Sequence, residues 1–374
     1  MKNHKVPLRY LIVLLLPLGI ALNYISLHNS YITERWYSNN IYKLFSQVLS
    51  ILTGLFPFSL AELMLVTLIG SMLGYLIVLC IRVVKKISSR REVVRKAVIN
   101  MLVLAGVLYF SFIILWGLNY NRMTAAQIFS LDTKPASVDE LVEVCKDLIL
   151  RANHLRSKVD QDADGVMYLK KGRRDILSRA SKGYDVSAQI YKELGGRYGP
   201  PKGIMLSNIM AYSGIWGVFS PFTAEANVNM SIPSSLLAST ACHEMAHQRG
   251  FAREDEANYI AYLSCSMHPD YDFQYSGVLL ALINAMNALY QQDYDAYKNL
   301  RSEYNEGLER DMQDIINYNK RYQGYVEKKF SKANDLYLKA NNQKQGELSY
   351  GRMVDLLIAE YRKNIKKVSM NNGF

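Results

Sequence analysis

Long apolar runs crowd the first third of the chain, and charged positions are sparse within them. Three of these runs, residues 8–26, 61–84 and 98–116, have the length and composition of a helix that crosses a membrane. A fourth stretch, residues 41–60, is apolar but interrupted by Lys43, Ser46, Gln47 and Pro57. This pattern favours an amphipathic helix on the membrane surface, near residues 41–60, over a fourth span.

The first apolar run, with its basic N-terminal flank, also resembles a cleavable signal peptide. No small-residue cleavage site follows it, because the run ends in the bulky residues Tyr24 and Ile25. We therefore predict an uncleaved anchor. With the other two runs it makes residues 1–116 a membrane anchor of three transmembrane helices.

The loop between the second and third runs is strongly basic. Only Glu92 offsets its cations, which are Arg82, Lys85, Lys86, Arg90, Arg91, Arg95 and Lys96. The positive-inside rule places this loop and the basic N-terminus in the cytoplasm. Three spans then place residues 117–374 outside, so we predict a multi-pass protein of the cell membrane with an extracytoplasmic C-terminal domain. A spanning segment at 41–60 would instead put that domain in the cytoplasm.

From Gly117 onward the pattern becomes that of a water-soluble domain. Helical periodicity marks residues 138–159, with Ser137 as a cap ahead of Glu140, and residues 174–194. Alternating apolar and polar positions within 204–232 indicate short strands, and residues 270–370 are helical by period. The fold class predicted for the whole chain is α+β, mostly helical, with a small sheet in the C-terminal domain.

Charge and cysteine content narrow the function classes. Residues 1–116 hold 12 Lys/Arg against 3 Asp/Glu, whereas the rest of the chain holds 32 against 30. The excess of positive charge therefore belongs to the membrane-proximal part, and we predict no nucleic-acid partner. The four cysteines form no tight metal-binding spacing, so we interpret them as small buried thiols.

The segment His243-Glu244-Met245-Ala246-His247 has the spacing H-E-x-x-H. Residues 234–249 contain good helix formers, and Gly250 follows as a stop. On a helix, His243 and His247 lie one turn apart on one face and can bind one Zn²⁺. Glu244 lies beside them and can act as a general base, so this pattern indicates a zinc hydrolase centre.

A catalytic zinc needs a third protein ligand and an open position. Residues 251–261 indicate a second helix that reverses on the first at Gly250. One face of this helix carries Glu254 and Asn258, with alanines between them, so Glu254 can reach the metal and Asn258 can orient a ligand histidine. Glu256 points roughly the opposite way, but the choice between Glu254 and Glu256 stays open. The acids could also form a solvated first turn.

The segments HEMAHQRGF and EDEANYIAYL together resemble the gluzincin type of zincin metallopeptidase (peptidase clan MA). The whole chain, including the segments at 117–122 and 220–229, also resembles a bacterial family of membrane proteins known only as a domain of unknown function and grouped with those peptidases. The resemblance implies a zincin-like fold, with His243, His247 and Glu254 as zinc ligands and Glu244 as the catalytic acid/base. Asn258 stands where the wider superfamily commonly has Asp, and the gap to Glu254 is shorter than in many gluzincins.

Several further residues are candidates for supporting roles. Residues 219–229 could form the sheet edge on which a peptide substrate is bound as an extra strand, or a purely structural hairpin. Glu225 is interpreted as a surface carboxylate, with a contact to substrate or metal as the alternative. Among 27 tyrosines, Tyr275 and Tyr350 are candidates for stabilising an oxyanion. His268 is interpreted as a loop residue and not as a ligand.

The function predicted from these features is a membrane-anchored zinc metallopeptidase that acts on polypeptides. An intramembrane protease is disfavoured, because the polar sequence after the motif does not suit a spanning helix. A non-catalytic envelope scaffold or sensor that keeps a zinc site is the alternative from another class. The sequence leaves the substrate and the oligomeric state open.

Overall fold

The structure is a computed structural model, which describes residues 12–85, 87, 89–341, 343 and 352–371. Helices dominate its N-terminal part: α1 (Leu15–Leu27), α2 (Ser30–Ile32), a π-helix (Thr33–Tyr42), α3 (Lys43–Gly54), α4 (Leu60–Val84) and α5 (Arg90–Leu115). In the described part of the chain, α4 and α5 are long and apolar enough to cross a membrane. The first predicted run, 8–26, is described only in part, because residues 8–11 lie outside the described residues. Its helix α1 is apolar but shorter than a span.

Helix α1 packs along α5 through small residues. A side chain at Gly19 would meet the ring of Tyr109, and one at Gly106 would meet the backbone of Ile12 and the side chain of Leu16. Small residues allow two apolar helices to approach closely, as they do in membrane proteins. Most other side chains of α1 are exposed or only half-buried.

Helix α3 has two different faces, as predicted for residues 41–60. Its small polar residues Ser46, Ser50 and Thr53 are buried against the C-terminal part of the chain, whereas Leu44 and Leu55 are exposed. The helix is shorter than predicted and ends at Gly54, because a turn follows and Ser59 caps α4. Its placement on a membrane surface stays a prediction.

Between α5 and the small sheet the chain forms short elements: a 3₁₀ turn (Gly117–Asn121), α6 (Ala125–Ile128), α7 (Val138–Arg156), α8 (Arg173–Arg179), α9 (Ser181–Ser187) and a second 3₁₀ turn (Lys192–Leu194). Helix α7 begins with the predicted cap, in which Ser137 and Glu140 bond reciprocally. The single helix predicted over 174–194 is wrong. The chain breaks at Ala180, so that α8 and α9 can pack on different partners.

The sheet has three strands, β1 (Lys202–Gly203), β2 (Gly217–Ser220) and β3 (Glu225–Val228), in the order β1-β3-β2. Strand β3 pairs with β1 in parallel and with β2 antiparallel, with Val218 opposite Asn227. A short helix, α10 (Ser207–Ala211), connects β1 to β2. The predicted small sheet before the H-E-x-x-H helix is therefore confirmed, and β2 is an edge strand.

The remaining elements are helices: α11 (Ser234–Gln248), α12 (Glu254–Ser266), α13 (Tyr271–Gln292), α14 (Tyr294–Arg301), α15 (Glu306–Tyr322), α16 (Tyr325–Ala340) and α17 (Met353–Asn371). Helices α11, α12 and α13 pack together and, with α7, surround the main core. Leu237, Ile260 and Leu279 are among its fully buried residues. The α+β, mostly helical fold is confirmed, whereas its relation to zincins stays a prediction.

Candidate metal centre

The two histidines of the motif lie on α11, one helical turn apart, with their ring centroids 4.7 Å apart. Gly250 then reverses the chain with a φ of +85°, a conformation that residues with a Cβ rarely adopt. A Cβ at this position would also meet the ring of Tyr42 and the side chain of Asn119 at about 3 Å. The turn brings α12 back against α11 and places the first residue of α12, Glu254, opposite the two rings.

Three ligand atoms converge on one point. Oε2 of Glu254 lies 3.1 Å from Nε2 of His243 and 3.6 Å from Nε2 of His247. Among the described residues, this trio could hold a metal ion, with all three ligand atoms within 4.8 Å of one another. The structure therefore brings together the three residues that the sequence analysis named as ligands.

The outer nitrogens of both rings are fixed by hydrogen bonds. Nδ1 of His243 donates to Oδ1 of Asn258 at 2.8 Å, and Nδ1 of His247 donates to the carbonyl oxygen of Phe251 at 2.7 Å. A proton on each Nδ1 leaves each Nε2 available to a cation. The orienting role predicted for Asn258 agrees with this geometry, since α12 supplies both the ligand carboxylate and the amide.

Charge in the trio is already arranged as a cation would require. Burial opposes ionisation of Glu254, but His247 and His243 hold the pKa of its carboxyl well below the usual value. Burial likewise disfavours the charged form of His247, yet the Glu254 carboxylate raises the pKa of this histidine to about 9. The carboxylate thus favours positive charge on His247, and a divalent cation bound by the three groups would supply that charge in place of a proton.

Glu244 is buried beside the trio and packs against strand β2. A Cβ at Gly217 would meet its Oε1 at 2.4 Å, so only glycine leaves room for the carboxylate. Burial raises the pKa of Glu244 to about 7, against the opposing effect of His243 and His247. Its Oε2 is buried and lacks a hydrogen-bond partner among the described residues. Such an oxygen, beside a candidate metal centre, fits a role in proton transfer or contact with a bound water or ion.

The centre opens into a cleft with a volume of about 880 Å³. Strand β2 lines the cleft, and helix α16 contributes Phe330 and Tyr337 to its lining. The backbone nitrogen of Asn229 donates to the carbonyl of Trp216. By the alternation of an antiparallel pair, Val218 and Ser220 then bond to β3, while the backbone groups of Gly217 and Phe219 point away from it. The edge predicted at 219–229 is thus only partly right: residues 217–220 form it, and β3 is the central strand.

Two tyrosines that the sequence analysis missed lie at this cleft. Tyr120 and Tyr337 both line it, and their hydroxyl oxygens are 3.0 Å apart. Burial raises the pKa of both, with a smaller contribution from the nearby charge of Glu254, so their hydroxyls stay protonated. The candidate Tyr275 is elsewhere, since it is buried in the core and donates to Asp311. The other candidate, Tyr350, lies outside the described residues.

Glu225 and Glu256 are buried, contrary to their interpretation as solvated carboxylates. Glu225 pairs with Lys202 and accepts hydrogen bonds from the backbone nitrogens of Leu60 and Ala61, at the start of α4. Glu256 accepts from the backbone nitrogen of Ala125 and pairs with Arg253. Neither belongs to the trio, so Glu254 is the carboxylate that the fold places at the centre.

His268 and the four cysteines are not part of the trio. The ring of His268 is buried and stacks on Phe273, away from the trio. Three of the four cysteines, Cys145, Cys242 and Cys265, are buried free thiols as interpreted. Cys80 is exposed and lies on α4, none of whose residues is buried in the protein.

The segment 117–122 follows α5 in the chain and contacts the turn between the two ligand helices. Arg122 forms a buried ion pair with Glu34 and stacks on the ring of Phe251, 4.1 Å from its centroid. The same guanidinium donates to the carbonyl oxygen of Arg249. Trp116 packs edge-on against the ring of His247, at 5.7 Å between centroids. These contacts give the segment a positioning role at the centre, for which the sequence carried no local signal.

Comparison with known proteins places the chain in a family. No curated protein and no solved structure matches it. One family model, described as "Protein of unknown function (DUF3810)", matches residues 37–358. This match covers most of the chain, from the π-helix through the ligand helices to α17. The chain therefore belongs to this family of proteins of unknown function.

Proposed function

We propose that this protein is a membrane-anchored zinc metallopeptidase. The observation that carries the proposal is the convergence of His243, His247 and Glu254 beside the buried, unpartnered carboxylate oxygen of Glu244. Two imidazoles and a carboxylate are a ligand set that suits zinc, and three protein ligands leave a position open for substrate chemistry. A structural site would normally be closed by a fourth ligand, and no other His, Cys, Asp or Glu among the described residues joins this trio.

The reaction proposed is hydrolysis of a peptide bond. A zinc ion held by the trio would polarise the substrate carbonyl and lower the pKa of a coordinated water. Glu244 would accept a proton from the attacking water and pass it to the departing amine. A pKa of about 7 suits a carboxylate that must both take up and release a proton near neutral pH.

The cleft supports a polypeptide as substrate. The outward backbone groups of Gly217 and Phe219 would pair with an extended peptide as an additional strand. One hydroxyl of the Tyr120–Tyr337 pair would donate to the oxygen of the reacting carbonyl as negative charge develops there, while the other hydroxyl donates to the first. Donors that are already fixed before the reaction stabilise such charge most effectively, and both tyrosines are held by their mutual contact.

The proposed anchoring places the centre outside the cytoplasm. The start of α4 is bound to Glu225, and the end of α5 runs directly into the cleft, so both helices meet the C-terminal part at the same end. Their other ends are joined by the basic loop around Arg90. If that loop is cytoplasmic, as its charge predicts, the catalytic part lies on the opposite face of the membrane.

The test is a single substitution at the proposed acid/base. Glu244→Gln in the full-length protein keeps the ligand trio, so we expect unchanged zinc content and a loss of peptide cleavage of about 10²–10⁴-fold. The matched control is Glu327→Gln, which changes a carboxylate at the same cleft away from the trio. Cleavage by Glu244→Gln at the wild-type rate would contradict the mechanism. Zinc binding without any cleavage by the wild type would favour the non-catalytic scaffold.

A further inference from the structure

The end of α5 lies directly at the metal centre. Phe112, in the last turn of this helix, lines the cleft, and Trp116, which follows the helix, contacts the ring of His247. Helix α5 is one of the two described helices that are long and apolar enough to cross a membrane. No linker separates the candidate span from the centre, so the cleft lies at the level where that span would leave the bilayer.

The start of α4 is attached to the same side of the cleft. Glu62, in the first turn of α4, accepts hydrogen bonds from the backbone nitrogens of Met205 and Leu206, at 2.9 and 2.8 Å. These two residues lead into α10, which in turn leads to the edge strand β2. The segment that carries the cleft wall is therefore held at the first turn of the second candidate span.

This attached segment is apolar and exposed. We call its exposed side chains the apolar rim, which consists of Met205, Leu206, Ile209, Tyr212 and Val218. Met205 is 69% exposed and Ile209 67% exposed, values at which a large apolar side chain is poorly accommodated by water. Helix α16, which also lines the cleft, exposes apolar residues too, Tyr325, Phe330 and Leu336 among them. Contiguous exposed apolar surface marks a site of contact with another phase or molecule.

Lipid is the occupant that the position of the rim favours. The rim lies next to the first turn of α4. No residue of α4 is buried in the protein, so its apolar side chains are exposed as well. A surface that begins at the first turn of a membrane-spanning helix lies in the interfacial zone of the bilayer, where amphipathic side chains such as Tyr212 are favoured. Leu44 of α3 and Leu55, the residue that follows α3, are also exposed apolar residues shortly before α4 in the chain.

We infer that the apolar rim inserts into the outer interface of the bilayer, and that the cleft receives polypeptides anchored in the same membrane. The substrate class is then a membrane-anchored polypeptide that is cut in its extended segment next to the bilayer. This inference rests on the proposed peptidase function for the cleavage step, whereas the placement of the rim is independent of it.

The placement is tested by lipid contact at one position. A fluorophore is attached to the cysteine of the Ile209→Cys variant. The exposed native thiol is first removed by Cys80→Ala, so that the other native thiols are the three buried ones. The protein is placed in phosphatidylcholine vesicles that contain brominated phosphatidylcholine. We expect strong quenching at position 209 and none at Leu150→Cys, which has the same exposed fraction on α7 and does not line the cleft. Absence of quenching at position 209 would overturn the inference.

The substrate class is tested with one quenched-fluorescence peptide in two forms, free in solution or fused to a single apolar spanning helix. We expect the wild type in phosphatidylcholine vesicles to cut the fused peptide faster. Ile209→Glu should lower cleavage of the fused peptide and leave cleavage of the free peptide unchanged, and Leu150→Glu should alter neither. Equal effects of Ile209→Glu on both forms would overturn the inference. If the wild type cuts neither peptide while position 209 is quenched, the peptidase proposal fails and the placement of the rim stands.

Discussion

Helices α4 and α11 are opposites in composition and in burial. Helix α4 is built almost entirely of apolar residues, yet none of its residues is buried in the protein. Helix α11 contains serine, threonine, histidine, glutamate and glutamine, yet 13 of its 15 residues are buried. Hydrophobicity thus fails to predict which of these two helices the protein encloses, because the apolar α4 is exposed and the more polar α11 is buried.

The difference is explained by what each helix requires of its surroundings. The side chains of α4 lose nothing in lipid, so the helix needs few protein contacts. The polar groups of α11 must find partners when they leave water. Gln248 donates to Ser50 and to the carbonyl oxygen of Ala224, and Thr240 donates to the carbonyl of Leu236. The two histidines face the Glu254 carboxylate, which lies 3.1 Å from Nε2 of His243 and 3.6 Å from Nε2 of His247.

The largest effect should come from removing the ligand carboxylate. We expect Glu254→Ala to leave the purified protein without stoichiometric zinc and without peptide cleavage, because two imidazoles alone bind a catalytic zinc poorly. Glu256→Gln is the control, since this buried carboxylate bonds to Ala125 and Arg253 instead. Metal analysis and a cleavage assay measure both. Zinc retained in Glu254→Ala and lost in Glu256→Gln would show that the wrong acid is assigned to the centre.

The difference between an exposed apolar helix, α4, and a largely buried one, α13, is tested by shortening one leucine side chain in each. Leu279→Ala, in the fully buried part of α13, should lower the free energy of unfolding by about 2–5 kcal/mol through a cavity. Leu73→Ala removes the same atoms from α4, where the side chain is exposed, and should cost less than about 1 kcal/mol, because lipid fills the space. Denaturation of both variants in the same detergent measures the difference. Equal losses would mean that α4 is packed against protein.

A buried acid outside the centre gives a dependence on pH. Burial raises the pKa of Glu360 to about 7, with Arg151 opposing it. The folded protein therefore holds this proton more tightly than the unfolded chain, and stability falls as the pH rises from about 4.5 to 7. At about 1.4 kcal/mol per pKa unit, the loss is roughly 3 kcal/mol. Glu360→Gln should match the wild type at pH 4 and exceed its melting temperature at pH 8; parallel profiles would contradict this account.

The smallest effect should come from the residue that orients a ligand. Asn258→Ala removes the acceptor for Nδ1 of His243 without touching the ligand atoms. We expect a loss of zinc affinity of about 10–100-fold, and Asn258→Asp should restore most of it. Competition with a chelator measures the affinities. An Asn258→Ala affinity equal to that of the wild type would show that the hydrogen bond does not tune the centre.

The three residues of the candidate metal centre were predictable from sequence because their geometry is local. His243 and His247 share one helix, and Gly250 reverses the chain only a few residues before Glu254, so periodicity and one turn suffice to bring them together. The same holds for the cap of α7 and for the two long apolar helices α4 and α5. Each depends on residues that are close in the chain.

The rest of the centre depends on residues that are distant in the chain, and no local pattern could identify them. Tyr337 lies at the cleft because α16 packs across it, and nothing near Tyr337 distinguishes it from 26 other tyrosines. Glu225 was misinterpreted as a surface carboxylate because its partner Lys202 and the start of α4 approach it only in the folded chain. The ion pair between Arg122 and Glu34 likewise joins the π-helix to the segment that follows α5, which are distant in the chain.

The central claim is that His243, His247 and Glu254 hold a zinc ion. Crystals of the full-length protein, purified with zinc, should give an anomalous difference peak at the zinc absorption edge between Nε2 of both histidines and the carboxylate of Glu254. We expect this peak to disappear in His243→Ala crystals. A structure of the zinc-supplied wild type without a peak at the trio, or with zinc bound by other residues, would contradict the claim.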